Sequence, residues 1–104
     1  MGQLTLRISI QENDNTIGFT LAGRLVGPWA EELDRTWKGT LTRLEGKKLS
    51  LDLRDVTYSD AEGKRVLREM FDHSRAEFIT HSDWSHHLAD EIRNSNQTYA
   101  QGRS

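Results

Sequence analysis

The side chains best suited to metal or acid–base chemistry are three aspartates near one predicted loop, Asp52, Asp55 and Asp60. Carboxylates grouped in this way can hold Mg²⁺ or another hard cation, so they form one candidate site. Arg54 stands between the first two aspartates, and lysines stand nearby in the chain. We therefore expect Asp52 and Asp55 to face solvent or to form ion pairs, and no metal site is predicted there.

The histidines are a second candidate for metal binding. His86 and His87 each stand four residues before an acidic residue, a helical spacing that can bind zinc or nickel when a third ligand is present. On a helix, however, the two imidazoles point apart, and His86 lies opposite the apolar stripe. The pattern favours a solvated helix face, and no metal ligand is predicted.

Nucleophilic and cofactor chemistry lack the residues that they need. The chain has no cysteine, which excludes disulfides and thiolate metal sites. No serine stands in a G-x-S-x-G elbow. The segment 23–27 has neither the Walker lysine nor the glycine spacing of a dinucleotide-binding loop. We expect no enzyme activity and no cofactor; an enzyme or metal protein that uses the acidic loop or the histidines is the third of three alternatives.

Length and charge set the broad class of protein. A chain of 104 residues falls in the usual range for a single domain. Its 14 basic and 16 acidic side chains give a net charge of -2, which argues against nucleic-acid binding through a basic field. No run approaches the roughly 20 apolar residues of a membrane span. The first residues also lack the basic and apolar regions of a signal peptide, so a cytoplasmic protein is expected.

Alternation of apolar and polar residues predicts four strands. The first two are joined by the turn-forming residues 13–15 and should form an antiparallel hairpin. Residues 49–53 repeat the alternation, and residues 76–80 predict a short last strand. The apolar positions of the hairpin are Leu4, Leu6, Ile8 and Ile10 in the first strand and Ile17, Phe19 and Leu21 in the second.

Three amphipathic helices are predicted between and after the strands. The first covers residues 28–44, because Pro28 suits a first helical position, although Gly39 is a weak point inside it. Ser59 and Glu62 match a capping box that opens the second helix, which runs to about residue 73. Ser82 can cap the third helix. The predicted buried faces are Gly63, Val66, Leu67, Met70 and Phe71 in the second helix and Trp84, Leu88 and Ile92 in the third.

The element order β-β-α-β-α-β-α indicates an α/β fold in one domain over residues 1–93, followed by a frayed or disordered tail over residues 94–104. Strand–helix–strand crossovers give parallel neighbours, so the sheet should be mixed, with only its first strand antiparallel. The first three strands each have one apolar and one polar face, which places the helices mainly on one face of a small sheet. The predicted wet face carries Arg7, Ser9, Thr20, Asp52 and Arg54.

Four short motifs follow one another along the chain at and near the carboxyl edge of this predicted sheet. They are Gly23-Arg24-Leu25, Trp29-Ala30-Glu31-Glu32-Leu33, Leu51-Asp52-Leu53 and Asp60-Ala61-Glu62-Gly63. Their order and spacing resemble those of the STAS domain family, which includes bacterial anti-sigma factor antagonists. An apolar strand with "DL" and a helix that opens with "D-S-S-G" mark the family, as does an upstream "G-x-L... A-x-x-L". The similarity covers residues 4–92.

This resemblance implies a non-enzymatic module that binds a protein partner, either an anti-sigma-type kinase or another signalling protein. In phosphorylation-controlled members, the first serine after the signature aspartate accepts phosphate. Ala61 stands at that position and has no hydroxyl, so no phosphorylation is expected there. Glu62, at the second serine position, is either the arm of the capping box or a standing negative charge. The expected contact residues are Ser59, Asp60, Ala61, Glu62, Gly63, Gly23, Arg24 and Trp29.

The resemblance leaves two further points open. STAS-like folds are also linked to the sensing of nucleotides or lipids, so a small-ligand-binding domain is the main alternative function. A homodimer is compatible with either function.

Overall fold

The computed structural model describes residues 6–102, with side chains through residue 94. One sheet has the strand order β1-β2-β3-β4, in which β1 runs antiparallel to β2 and the other three strands are parallel. The predicted mixed α/β architecture is therefore confirmed. The elements are β1 (Leu6–Glu12), β2 (Thr16–Leu25), α1 (Gly27–Lys38), α2 (Leu41–Leu44), β3 (Lys48–Ser59), α3 (Ala61–Ser74), β4 (Glu77–Ile79) and α4 (Asp83–Gly102).

The core lies between one face of the sheet and the helices, as the alternation of apolar residues predicted. Every second residue is buried from Ile17 to Leu21 in β2 and from Leu49 to Leu53 in β3, and these side chains meet the apolar stripes of α1, α3 and α4. On the opposite face, Arg7 and Arg54 are exposed and Thr20 is only partly covered. The fully buried strand residues are Ile17, Phe19, Leu21, Leu25, Leu49, Leu51 and Leu53.

The prediction of one helix over residues 28–44 is wrong, because the chain turns after Lys38. The N–H of Gly39 still bonds to the Arg35 carbonyl, but Thr40 closes a tighter turn by donating its N–H and its hydroxyl to the Trp37 carbonyl. Thr40 is buried by this turn. A separate short helix, α2, then places Leu44 against the core.

Both central strands are longer than predicted at their carboxyl ends. The loop expected over residues 23–27 begins only after Leu25, since Gly23 and Arg24 continue to pair with β3. The register shifts at this point, and Gly23 accommodates the shift because glycine readily adopts its φ of 111°. β3 likewise extends to Ser59, where a loop was expected.

The apolar face of α4 is rotated relative to its prediction. Trp84 is 38% exposed, while Ser85 is completely buried together with Leu88 and Ala89. The inward positions follow the i, i+3, i+4, i+7 pattern from residue 85, because a stripe drawn every four residues from Trp84 drifts around the helix. Ser82 does cap this helix, since its Oγ accepts the N–H of Ser85 at 3.1 Å.

Two predictions concern the ends of the chain. The first strand was expected to include Leu4, which lies outside the described residues, and β1 instead extends to Glu12. α4 continues in helical geometry to Gly102, beyond the predicted end of the domain at residue 93. The frayed or disordered tail stays a prediction, and residues 103–104 lie outside the described part of the chain. No helix among the described residues is long and apolar enough to cross a membrane.

Asp52 stabilises an irregular point in β3, where the register against β2 shifts between residues 52 and 55. Its carboxylate accepts hydrogen bonds from the backbone N–H, Nε and Nη2 of Arg54, at 3.0, 3.0 and 2.9 Å. This confirms the expected pairing with Arg54. The guanidinium lowers the pKa of Asp52 below its usual value of 3.8.

This lowered pKa predicts how stability depends on acid. A carboxyl whose pKa is lower in the folded state stabilises the fold above about pH 4, and that contribution is lost as pH falls. The free energy of unfolding should fall between about pH 5 and pH 2, and we expect this fall to be smaller in Arg54→Gln than in the wild type. Urea denaturation at each pH measures it. The control is Arg7→Gln, an exposed arginine on the same face. An equal effect of the two variants would contradict the role of Asp52.

Candidate functional site

Two loops meet at the carboxyl edge of the sheet because β2 and β3 are parallel neighbours. Leu25 at the end of β2 pairs with Ser59 at the end of β3, so α1 and α3 begin beside each other. We call residues 23–29 and 59–63 together the cap surface. The structure thus brings together the two segments that the sequence singled out.

Asp60 connects the two halves of the cap surface. Its Oδ1 accepts the N–H of Gly63 at 2.9 Å, and its Oδ2 accepts the N–H of Gly27 at 3.1 Å. Its own backbone N–H donates to the Leu25 carbonyl at 3.2 Å. One carboxylate therefore caps α3 and also satisfies an amide at the start of α1, where a helix has no internal acceptor to offer.

Gly63 allows α3 to approach the end of β2 closely. The residue is buried, and a Cβ at this position would overlap the Leu25 carbonyl and lie 2.5 Å from Ser59 Oγ. No side chain fits between these backbones. The signature glycine thus has a packing function at the base of the cap surface, independent of any partner.

The predicted capping box of Ser59 and Glu62 is wrong. The N-cap is Asp60, because β3 continues through Ser59 and holds its backbone in extended, paired geometry. The Ser59 side chain is 4% exposed overall, and its hydroxyl donates to the Asp60 carbonyl at 3.2 Å. Glu62 instead accepts hydrogen bonds from Nε and Nη2 of Arg65, one turn further along α3.

The remaining residues of the cap surface differ in how far they are exposed. Ala61 is exposed at the first position of α3. The guanidinium of Arg24 lies over the ring of Tyr58, 5.1 Å from its centre. Trp29 is half-buried and packs against the core, so only part of its ring reaches the surface. The cap surface therefore presents a small apolar side chain at the start of α3 and, on β2, a cation stacked on Tyr58.

Sequence reasoning missed two aromatic residues beside the cap surface. Tyr58 is 46% exposed and Trp84 is 38% exposed, and both line a narrow groove of about 110 Å³ between the end of β3, α3 and α4. Lys64 and Glu91 form an ion pair of 3.2 Å in the wall of this groove. The i, i+3, i+4 spacing from Ser85 would have indicated that Trp84 faces outward.

The described histidines that were weighed as metal ligands lie in separate environments. His86 Nδ1 lies 3.0 Å from the Thr80 hydroxyl, while His87 is exposed and stands 3.9 Å from Glu91. Within residues 6–102, no group of three or more histidines and acids is placed to hold a metal ion. Asp60 is occupied by the two backbone amides described above, and Asp52 by Arg54.

The arrangement of a mixed four-stranded sheet, one helical layer and an N-capped strand-to-helix junction defines a recognisable fold class. Comparison with solved structures identifies it as the STAS, or SpoIIAA-like, fold. The chain is similar to an anti-sigma factor antagonist from Mycobacterium paratuberculosis, with a TM-score of 0.71 and 11% identity over 90% of this chain and 82% of that one.

Two further structures share the fold. An antisigma-factor antagonist STAS domain from Rhodobacter sphaeroides matches with a TM-score of 0.54 and 13% identity, over 76% of this chain and 88% of that one. An uncharacterized protein from Shewanella loihica, with a SpoIIAA-like fold, matches with a TM-score of 0.56 and 13% identity, over 86% and 78%. No protein-family profile matches the chain, and no curated protein matches it in sequence.

The double role of Asp60 predicts a graded response to substitution. Asp60→Ala removes both acceptors and should lower the free energy of unfolding by about 1–2 kcal/mol. Asp60→Asn keeps one oxygen for the Gly63 amide but cannot accept from Gly27, so its cost should be smaller. Urea denaturation measures both, with Asp55→Ala as the exposed control. Equal costs for the alanine and asparagine variants would contradict the bridge to Gly27.

The close approach at Gly63 predicts that alanine is unfavourable there in spite of its helix propensity. Alanine gains about 1 kcal/mol over glycine inside a helix, but overpacking costs about 1–3 kcal/mol. We expect Gly63→Ala to lower the urea midpoint. Gly39→Ala is the matched control, because Gly39 has helical φ and ψ and is exposed. A stabilised Gly63→Ala protein would show that α3 can move away from Leu25.

Proposed function

We propose that this chain is a non-enzymatic, cytoplasmic interaction module of bacterial signalling that binds a protein partner through its cap surface. The partner is an anti-sigma-type kinase or another signalling protein. The single observation that carries the proposal is an exposed alanine at the first position of α3, on a junction that Asp60 and Gly63 hold in place. The resemblance to the STAS family and the shared fold of two anti-sigma factor antagonists support it.

The proposal includes that partner binding is not regulated by phosphorylation at position 61. Ala61 is the exposed residue next to the N-cap, and its side chain offers no acceptor oxygen. Ser59 has a hydroxyl two residues earlier, but it is 4% exposed and lies against the inward side of the junction. Glu62 contributes one carboxylate, which Arg65 partly neutralises at this surface.

A binding experiment on Ala61 tests this proposal. The wild-type chain is used as bait in a bacterial extract, the captured protein is purified, and its affinity is measured by calorimetry. We expect Ala61→Arg to weaken binding at least tenfold, since a long cation at the centre of an interface is poorly accommodated. Glu45→Arg is the matched control, because Glu45 is also exposed and precedes β3 at the opposite edge of the sheet. Equal affinity of both variants would exclude the cap surface.

The same captured partner tests the role of phosphate. With a kinase as partner and ATP present, mass spectrometry should detect no phosphate on the wild-type chain. Ala61→Ser restores the hydroxyl and should become a substrate. Stoichiometric phosphorylation of the wild-type chain would contradict the proposed mode of regulation.

One observation favours the alternative of small-ligand sensing. Trp37 is 3% exposed, its indole Nε1 has no hydrogen-bond partner, and the residue lines a hollow of about 370 Å³ between α1 and α3. This volume falls in the range of about 300–1,000 Å³ that suits small molecules, whereas the groove beside the cap surface does not reach it. Native mass spectrometry and thermal shift with nucleotides and lipids distinguish the two functions, because a tightly bound ligand would favour sensing.

A further inference from the structure

The outer edge of β1 offers main-chain hydrogen bonds that no described strand uses. β1 is the first strand of the sheet and pairs only with β2 within residues 6–102. It is seven residues long, whereas β4 at the other edge has three. Long edges without lysine, proline or a bulge readily pair with another strand. β1 contains none of these three features.

The hairpin shows which backbone groups point outward. The N–H of Asn13 donates to the Thr16 carbonyl at 2.9 Å, so this opposed pair is hydrogen-bonded. Hydrogen-bonded and non-hydrogen-bonded pairs alternate along an antiparallel ladder, and the register from Glu12 to Leu6 has no shift. Residues 7, 9 and 11 therefore bond to β2. Residues 6, 8, 10 and 12 direct their N–H and C=O groups away from it.

Two of the residues whose backbone groups point away from β2 also have side chains that the single chain does not fully bury. Ile10 is 39% exposed and Ile8 is half-buried, although both face the helical side of the sheet. The two isoleucines flank Ser9 symmetrically. An antiparallel copy of the same strand, related by a two-fold axis at Ser9, would place Ile8 opposite Ile10 of the second copy, and the reverse.

We propose that a second copy of this chain occupies the β1 edge, pairing antiparallel about Ser9 to form a continuous eight-stranded sheet across a dimer. This register overlaps all seven residues of β1 and joins the outward groups of residues 8 and 10 in hydrogen-bonded pairs. Cross-strand isoleucine pairs are favourable in such a ladder. The two-fold axis is perpendicular to the sheet, so both helical layers stay on the same side.

Charge also fits this register. Arg7 comes to lie opposite Gln11 of the second copy, and Ser9 opposite its own equivalent, so no like charges meet. Glu12 is held by Arg43 and Lys47 of its own chain, at 3.1 and 2.7 Å, and faces Leu6 of the second copy. The new contact adjoins the cap surface at one end only, where Leu6 pairs with Gly23, while residues 59–63 lie on β3 and α3, two strands away. Dimerisation is measured without a partner, so its outcome does not depend on the proposed partner binding.

Analytical ultracentrifugation of the full chain tests the dimer through two exposed isoleucines. Ile10→Lys places a cation at the new contact and should weaken dimerisation at least tenfold. Ile79→Lys is the matched control, because Ile79 is 38% exposed but lies on β4 at the opposite edge. We expect a dimer for the wild type and for Ile79→Lys, and a monomer for Ile10→Lys. A monomeric wild-type chain, or a dimeric Ile10→Lys variant, would overturn the proposal.

Disulfide formation tests the register, since the natural chain has no cysteine. In the proposed register, Ser9 lies directly opposite its own equivalent in the second copy. The Cα separation of such an opposed pair falls within the range of about 4.4–6.8 Å that a disulfide spans. The Ser9→Cys variant should therefore form a covalent dimer under mild oxidation. Gln11→Cys is the control, since four residues of offset separate the two equivalents by about 14 Å. Equal cross-linking of both variants would contradict the two-fold axis at Ser9.

Discussion

The geometry at the carboxyl edge depends on the two hydrogen bonds that the Asp60 carboxylate accepts. Helix starts leave backbone N–H groups without partners inside the helix. Here one carboxylate serves the start of α3 through Gly63 and the start of α1 through Gly27. Pairing of Leu25 with Ser59 brings the two helix starts together, and the carboxylate then satisfies an amide of each. Without the Asp60 carboxylate, each of these two amides would need another acceptor.

Gly63 complements this constraint from the packing side. The Leu25 carbonyl accepts the Asp60 N–H and occupies the space where a Cβ of residue 63 would be. A side chain at residue 63 would therefore displace the carbonyl that accepts the Asp60 N–H. Ala61, in contrast, is exposed at the first position of α3, so packing at the junction does not constrain its identity. The same four-residue motif thus contains Asp60 and Gly63, which form the junction, and Ala61, which is exposed on its surface.

The parts of the fold that could be predicted are those that depend on local periodicity. Alternation in residues 49–53 identified a buried strand face, and the turn-forming residues after β1 identified a hairpin. The N-cap could not be assigned in the same way, because Ser59 and Asp60 are equally good capping residues in isolation. The choice is decided by pairing of Ser59 with Leu25, 34 residues earlier in the chain. The break near Gly39 is accompanied by two bonds from Thr40 to the Trp37 carbonyl, a local turn that the apolar spacing of residues 28–44 does not reveal.

The same reasoning explains how the fold is shared at 11–13% identity. A sheet face that alternates apolar residues, three helices with apolar stripes and one capped junction are sufficient to specify the layers, and many sequences meet these requirements. Function depends instead on exposed positions, where identity is not constrained by the core. Among these are Ala61 and Tyr58 near the cap surface and Ile10 on the outer edge of β1. Tyr58 carries the Arg24 guanidinium of its own chain over its ring. Ala61 and Ile10, in contrast, are exposed without such a contact being needed by the core, so these two positions are the ones at which a change of residue tests binding separately from folding.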